Sequence, residues 1–256
     1  MRKGIAAVAG TLAALSVATF ATSSTPASAA SAAYSLASST TSTGQKLPMR
    51  WNPCQPGITY KVNVSLAGST SSARAAALAD VKKSFDILGS ATGMTFTFTG
   101  TTSYIPDGRS WSTEQPAEIV VAWVNPTRTK TSSSLLGTDS NGRPVAGTGG
   151  YSFKQWAYPG EPWTGAIGRG YVVLNALENK TVRPGFGKGI TRGNLLLHEL
   201  GHVVGLEHVS STSELMYPVL ISRPSAGYHD GDRAGLAKVG MQAGCIDVPS
   251  VVWTDL

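Results

Sequence analysis

Only 14% of the residues are charged, and the chain holds just four histidines and two cysteines. Its 21 basic and 15 acidic residues are scattered. Lys82-Lys83 is the only adjacent basic pair after Arg2-Lys3. No basic stripe tracks a phosphate backbone, so nucleic acid is excluded as a partner and the surface reads as mildly basic and soluble. Beyond residue 20 no apolar run is long enough to span a bilayer. No internal repeat is present. A hydrophobic content of 41% is ordinary for a globular chain and excludes a disordered one.

The N-terminus reads as an export signal. Arg2 and Lys3 form a positive start, Ile5 to Phe20 is apolar and Ala-rich, and Ala27-Ser28-Ala29 is an A-x-A cleavage site. The rival reading is a membrane anchor, but the run is short and rich in alanine. Residues 1–30 are therefore expected to be a signal peptide, and the protein to be secreted, extracellular and without stable membrane association. Residues 31–47, rich in Ser, Thr and Ala, are expected to be a flexible leader or short pro-segment. Residues 48–256 are expected to form one domain, a monomer. Outside the cytoplasm Cys54 and Cys245 default to a disulfide worth at most about 5 kcal/mol in the chain-entropy model; a reactive thiol at Cys54 is the alternative.

Ordered structure is expected from near Met49. Ile58, Tyr60, Val62 and Val64 alternate with polar residues, which predicts a strand. Ser71 or Ser72 can cap a helix in which Leu78, Val81, Phe85 and Leu88 share a face and which Gly89 can stop. Met94, Phe96 and Phe98 mark a second strand. Glu118 to Val124 suits a central strand buried on both faces. Gly149–Phe153 and Tyr171–Leu177 are further strands, Asp139 to Gly142 a turn, and Thr191–Val204 a helix. Val209–Gly227 is irregular, and Asp230 or Asp232 opens a last helix through Val239. This order predicts an α+β domain with a twisted mixed sheet and helices packed on it.

The chemistry concentrates in His198-Glu199-Leu200-Gly201-His202-Val203-Val204-Gly205-Leu206-Glu207-His208. Residues four apart share a helix face, so His198 and His202 can converge on one ion. Glu199 stands beside that ion, placed to act as general base toward a water. Gly205 can end the helix in a left-handed conformation, so the chain turns back to deliver His208. Three neutral imidazoles around zinc leave a fourth position open, the pattern of a catalytic rather than a structural site.

The pattern H-E-x-x-H-x-x-G-x-x-H, followed by Leu215-Met216-Tyr217-Pro218, resembles the metzincin zinc proteases, and the latter segment resembles their matrixin branch. Arg50-Trp51-Asn52-Pro53-Cys54 resembles bacterial-type secreted matrixin-like proteases, and Asp232, Gly235 and Leu236 resemble the matrixin C-terminal helix. The resemblance covers about Arg50 to Gly240. It implies a metzincin-like catalytic domain with a mostly parallel sheet, an active-site helix and a C-terminal helix. It also implies one catalytic zinc on His198, His202 and His208, with Glu199 as catalytic base and a protein or peptide substrate. Met216 would lie as an apolar floor under the metal, and Tyr217, Pro218 and Leu220 at the substrate pocket. Leu220 stands where matrixins usually carry tyrosine. Structural calcium is common in the family; Asp139 and Asn141 could contribute, although they also suit a plain turn. Only His229 remains beyond the triad, too few for a second histidine-built zinc site. Asn52 to Pro56 superficially resembles a latency segment but lies too close to the first strand, which favours the Cys54–Cys245 disulfide.

Overall fold

The computed structural model describes residues 33–107, 115–127, 135–139 and 142–248. The expected signal peptide and Asn141 lie outside them.

Strand β4 (Ile58–Asn63) turns Ile58, Tyr60 and Val62 inward, as its alternation predicts. Helix α1 (Ser71–Thr92) lays Val81, Phe85 and Leu88 on that surface, and the Phe85 ring stacks on Tyr60 with centroids 3.8 Å apart. Thr70, rather than Ser71 or Ser72, caps the helix by accepting the Ala73 N–H at 3.1 Å, a contact worth about 1 kcal/mol. Gly89 does not stop it. A helical glycine costs only about 1 kcal/mol, and the last turn buries Leu88 and Thr92 before Gly93 (φ 73°) ends the helix.

The central sheet adds β5 (Phe96–Thr101), β6 (Ile119–Val124), β7 (Gly147–Trp156) and β8 (Thr164–Asn175) in the order β5-β4-β6-β8-β7. Neighbours are parallel except for β7, which runs antiparallel to β8 at the edge. β6 is buried throughout: Ile119, Val121 and Trp123 join the main core, while Ala122 and Val124 join a smaller cluster with Leu136 and Val173. The mixed, mostly parallel sheet bears out the α+β expectation. β7 and β8 exceed their expected spans, because Gly165, Gly168 and Gly170 interrupt the apolar pattern of β8. After Asn175 the chain turns into a short 3-10 helix (Ala176–Lys180) instead of extending to Leu177.

Helices α2 (Arg192–Val203) and α3 (Asp230–Val239) complete the core. Leu196, Leu197, Leu200 and Val203 are fully buried, each worth roughly 1.5–3 kcal/mol. Asp80 of α1 accepts from Arg192 Nε at 2.7 Å and from the Gly185 N–H at 2.9 Å, tying the start of α2 to α1. Cys54 and Cys245 form a disulfide that closes a separation of 191 residues. Arg50 Nη1 donates to the Gly244 carbonyl (2.8 Å) and the Ile246 N–H to Asn52 Oδ1 (3.1 Å) beside it. No helix among the described residues is long and apolar enough to cross a membrane.

From Ala33 onward, the segment expected over residues 31–47 as a flexible leader or short pro-segment is paired to the rest of the chain or to itself. β1 (Ser35–Leu36) pairs antiparallel with β9 (Leu206–Glu207), and β2 (Ser38–Thr40) forms a hairpin with β3 (Lys46–Pro48). Composition concealed this order because the segment is held mainly through its backbone, with only Ala37 and Leu47 as buried apolar anchors.

Candidate metal centre

Helix α2 is capped by Thr191, whose Oγ1 accepts the Asn194 N–H at 3.3 Å. Its buried leucines fix its rotation, so His198, Glu199 and His202 come out toward the β7 edge. Gly205 then takes φ 103°. A Cβ there would meet the Met49 carbonyl oxygen at 2.0 Å, so glycine is required both for the turn and for the close approach. The chain reverses and β9 carries His208 back over the helix.

The three imidazoles converge. His208 Nε2 lies 3.1 Å from His198 Nε2 and 3.1 Å from His202 Nε2, and all three donor atoms fall within 4.8 Å of one another. His198 Nδ1 donates to the Leu215 carbonyl at 2.8 Å, and His202 Nδ1 to the Leu206 carbonyl at 2.9 Å. A carbonyl only accepts, so the protons of those two rings sit on Nδ1 and their Nε2 lone pairs face inward. Lone pairs so crowded call for a cation between them. Tetrahedral Zn–N bonds of about 2.0–2.1 Å place nitrogens about 3.3 Å apart, close to the spacing found. Burial pulls the His198 imidazole down to about 3, assisted by the neighbouring His202 and opposed by its bond to Leu215. Burial also lowers His202 and His208, so all three rings are neutral ligands near pH 7.

Glu199 is buried beneath the β7 edge. The Gly149 N–H donates to its Oε2 at 2.6 Å, and a Cβ on Gly147 would stand 3.0 Å from Oε1. Burial pushes the carboxyl up to about 8, against the opposing pull of the Gly149 hydrogen bond. A cation held by the histidines favours the carboxylate.

Below the imidazoles, Met216 packs its sulfur against Gly201, between the two helical histidines. Asp232 of α3 holds this turn: Oδ2 accepts the Leu215 N–H at 2.7 Å and Oδ1 the Met216 N–H at 3.1 Å. From the other side, the Arg223 guanidinium donates to the carbonyls of Ser213 and Glu214.

The imidazoles and Glu199 open into a cleft of about 770 Å³, walled by β7 residues on one side and by Pro218, Val219 and Leu220 on the other. Residues 50–239 match the family model of the matrixins. The chain belongs to the matrixin family. It is a zinc metalloendopeptidase, and its histidine triad suits the zinc of this matrixin. No curated protein matches the chain.

Of the residues singled out from the sequence, His198, Glu199, His202, His208, Pro218 and Leu220 meet at the matrixin cleft and Met216 lies beneath it. Tyr217 is half-buried outside the cleft lining. His229 precedes α3, its N–H on Asp232 Oδ2 at 2.9 Å. Asp139 is engaged within its turn: Oδ1 accepts the Arg143 N–H and Oδ2 the Arg143 Nε, at 2.9 and 2.8 Å. The sequence reading missed Gly147 and Gly149 as partners of Glu199. The run Gly147-Thr148-Gly149-Gly150 inside a strand was their signal, since glycines there mark a close backbone approach. It also missed Arg223, the clamp by Asp232 and the carbonyls of Leu206 and Leu215, for which no local pattern exists.

Proposed function

We propose that this matrixin is a secreted endopeptidase in which Glu199 is the general base, and that it cleaves extended peptides laid along β7. The observation that carries the reading is the placement of a buried carboxylate, gripped by Gly149, in the same cleft as three inward-facing Nε2 lone pairs. Zinc, when bound, polarises the scissile carbonyl and makes water more acidic.

The residues of the chain do the rest. His198, His202 and His208 hold the metal with three neutral nitrogens and leave the cleft side open. The Gly149 N–H holds Glu199 Oε2, and the carboxylate so fixed takes a proton from water and passes it to the leaving amine. β7 is the edge strand of the sheet, and an extended substrate adds to such an edge through backbone hydrogen bonds. Pro218 and Leu220 face the side chain next to the scissile bond, and Met216 supports the imidazoles from below. The signal-like residues 1–30 support secretion. The enzyme acts as a monomer, without nucleic acid and without stable membrane association.

The test is hydrolysis of an unstructured protein such as casein by the purified chain, with and without a zinc chelator and alongside Glu199→Ala. Loss of hydrolysis under both treatments supports the reading. Undiminished hydrolysis by Glu199→Ala removes Glu199 from the chemistry.

A further inference from the structure

Residues 33–49 precede the region matched by the family model, and composition over residues 31–47 suggested a flexible leader or short pro-segment. Their contacts say otherwise. The link from α2 to His208 consists of Val204 to Glu207, and this N-terminal segment touches it repeatedly. The Ala37 N–H donates to the Gly205 carbonyl at 2.9 Å. Leu36 pairs with Leu206 and Ser35 with Glu207. Met49, whose N–H returns to the Ala37 carbonyl at 2.9 Å, places its own carbonyl over the Cα of Gly205. Just beyond, Trp51 Nε1 donates to the Val203 carbonyl at 2.9 Å and so closes the end of α2. Tyr34 packs beside Leu206 over Gly235 of α3.

We infer that the segment 33–49 is a permanent strap that positions two of the three metal ligands, rather than a pro-segment whose removal activates the enzyme. This rests on the zinc reading of the triad. His208 follows directly on the strand paired with Ser35–Leu36, so the strap sets where its ring falls. His202 is oriented by the Leu206 carbonyl, and Leu206 is the residue paired with Leu36. His198 answers to a different support, the Leu215 carbonyl held by Asp232. Loss of the strap therefore leaves one ligand in place and releases two, which weakens the metal without unfolding α2 or the sheet. The reach is short: Gly205 is a glycine in a left-handed conformation, the kind of residue that loses most order when unsupported.

The experiment compares Ala37→Pro and Ala37→Gly in the full chain. Proline removes the N–H that serves Gly205, whereas glycine keeps it. Zinc affinity is measured by competition with a chromophoric chelator, the cobalt-substituted visible spectrum reports ligand geometry, and far-UV circular dichroism reports the fold. The expected result for Ala37→Pro is a zinc dissociation constant raised tenfold or more and an altered cobalt spectrum, on a near-native dichroism spectrum; Ala37→Gly stays within twofold of the unaltered chain. Zinc affinity within twofold for Ala37→Pro overturns the strap. So does a chain starting at Met49 that binds zinc as tightly as the full chain or cleaves casein faster. If the unaltered chain binds no zinc, the metal reading fails, a result distinct from failure of the strap.

Discussion

The peptide N–H of Gly149 lies 2.6 Å from Glu199 Oε2, joining the edge strand to the carboxylate beside the metal site. A Cβ on Gly149 would come within 2.0 Å of the Glu199 carbonyl oxygen, which belongs to the helix backbone and cannot step aside. Gly149→Ala should therefore push β7 away from α2. We expect a loss of about 2–3 kcal/mol in urea unfolding, together with a fall in kcat from the misplaced carboxylate. Unchanged stability and turnover would show that the strand slides freely over the helix.

Glu199→Gln keeps the shape of the side chain but removes its capacity to take a proton. Turnover should fall about 10²–10⁴-fold, the range for loss of a general base. Zinc content, measured by atomic absorption, should stay near that of the unaltered protein because the three imidazoles are untouched. Loss of the metal together with activity would make Glu199 a structural residue instead.

The metal-free protein should show a pH dependence with a definite sign. The Glu199 carboxyl is raised to about 8 in the folded chain, from 4.5. Between those values the unfolded state has released its proton and the folded state has kept it, so this group makes stability fall as pH rises from 4.5 through 8. His198 acts oppositely: its folded value near 3 lies below the ordinary 6.5, so stability falls as pH drops from 6.5 toward 3. The stabilising effect of Glu199→Gln on the metal-free chain should grow from pH 4.5 to 8 and level off above it. Denaturant titrations across that range decide the matter; a pH-independent difference would contradict the sign.

Asp232→Ala should be among the most damaging changes outside the histidines. It strips acceptors from the buried N–H groups of Leu215 and Met216 and from that of His229. At about 1–3 kcal/mol for each unsatisfied buried group, a loss of roughly 3 kcal/mol or more is expected. Zinc affinity should fall too, because the Leu215 peptide also orients His198. Calorimetry and chelator competition measure the two effects, and a mild change in both would show that water replaces the carboxylate.

Reduction of Cys54–Cys245 should lower the melting temperature by up to about 10–20 °C, the most that the long closed loop allows. Activity at 25 °C should survive, because Arg50 to Gly244 and Asn52 to Ile246 still join the same two segments. Inactivation on reduction at that temperature would mean that these contacts cannot hold alone.

Much of the site was legible because its parts are close in sequence and obey helical geometry. His198 and His202 are four apart, Gly205 follows the helix end, and His208 returns three residues later; one short stretch supplies three imidazoles, a carboxylate and the turn. The continuous apolar run of β6 likewise announced a strand covered on both faces. What the stretch could not specify was its support. The carbonyl that orients His202 is positioned by pairing with Leu36, the one that orients His198 by Asp232, and the grip on Glu199 comes from Gly149. Each of these contacts joins segments far apart in sequence and has a backbone N–H or carbonyl on at least one side, a group that is the same in every residue, so local sequence carries little trace of the pairing. The sequence alone determined the chemistry of the centre, because ligand type and spacing are local. Only the tertiary structure brought residues 33–49 against the link that leads to His208, because their Ser- and Thr-rich composition resembles a linker until the partner strand, about 170 residues away, comes to lie beside it.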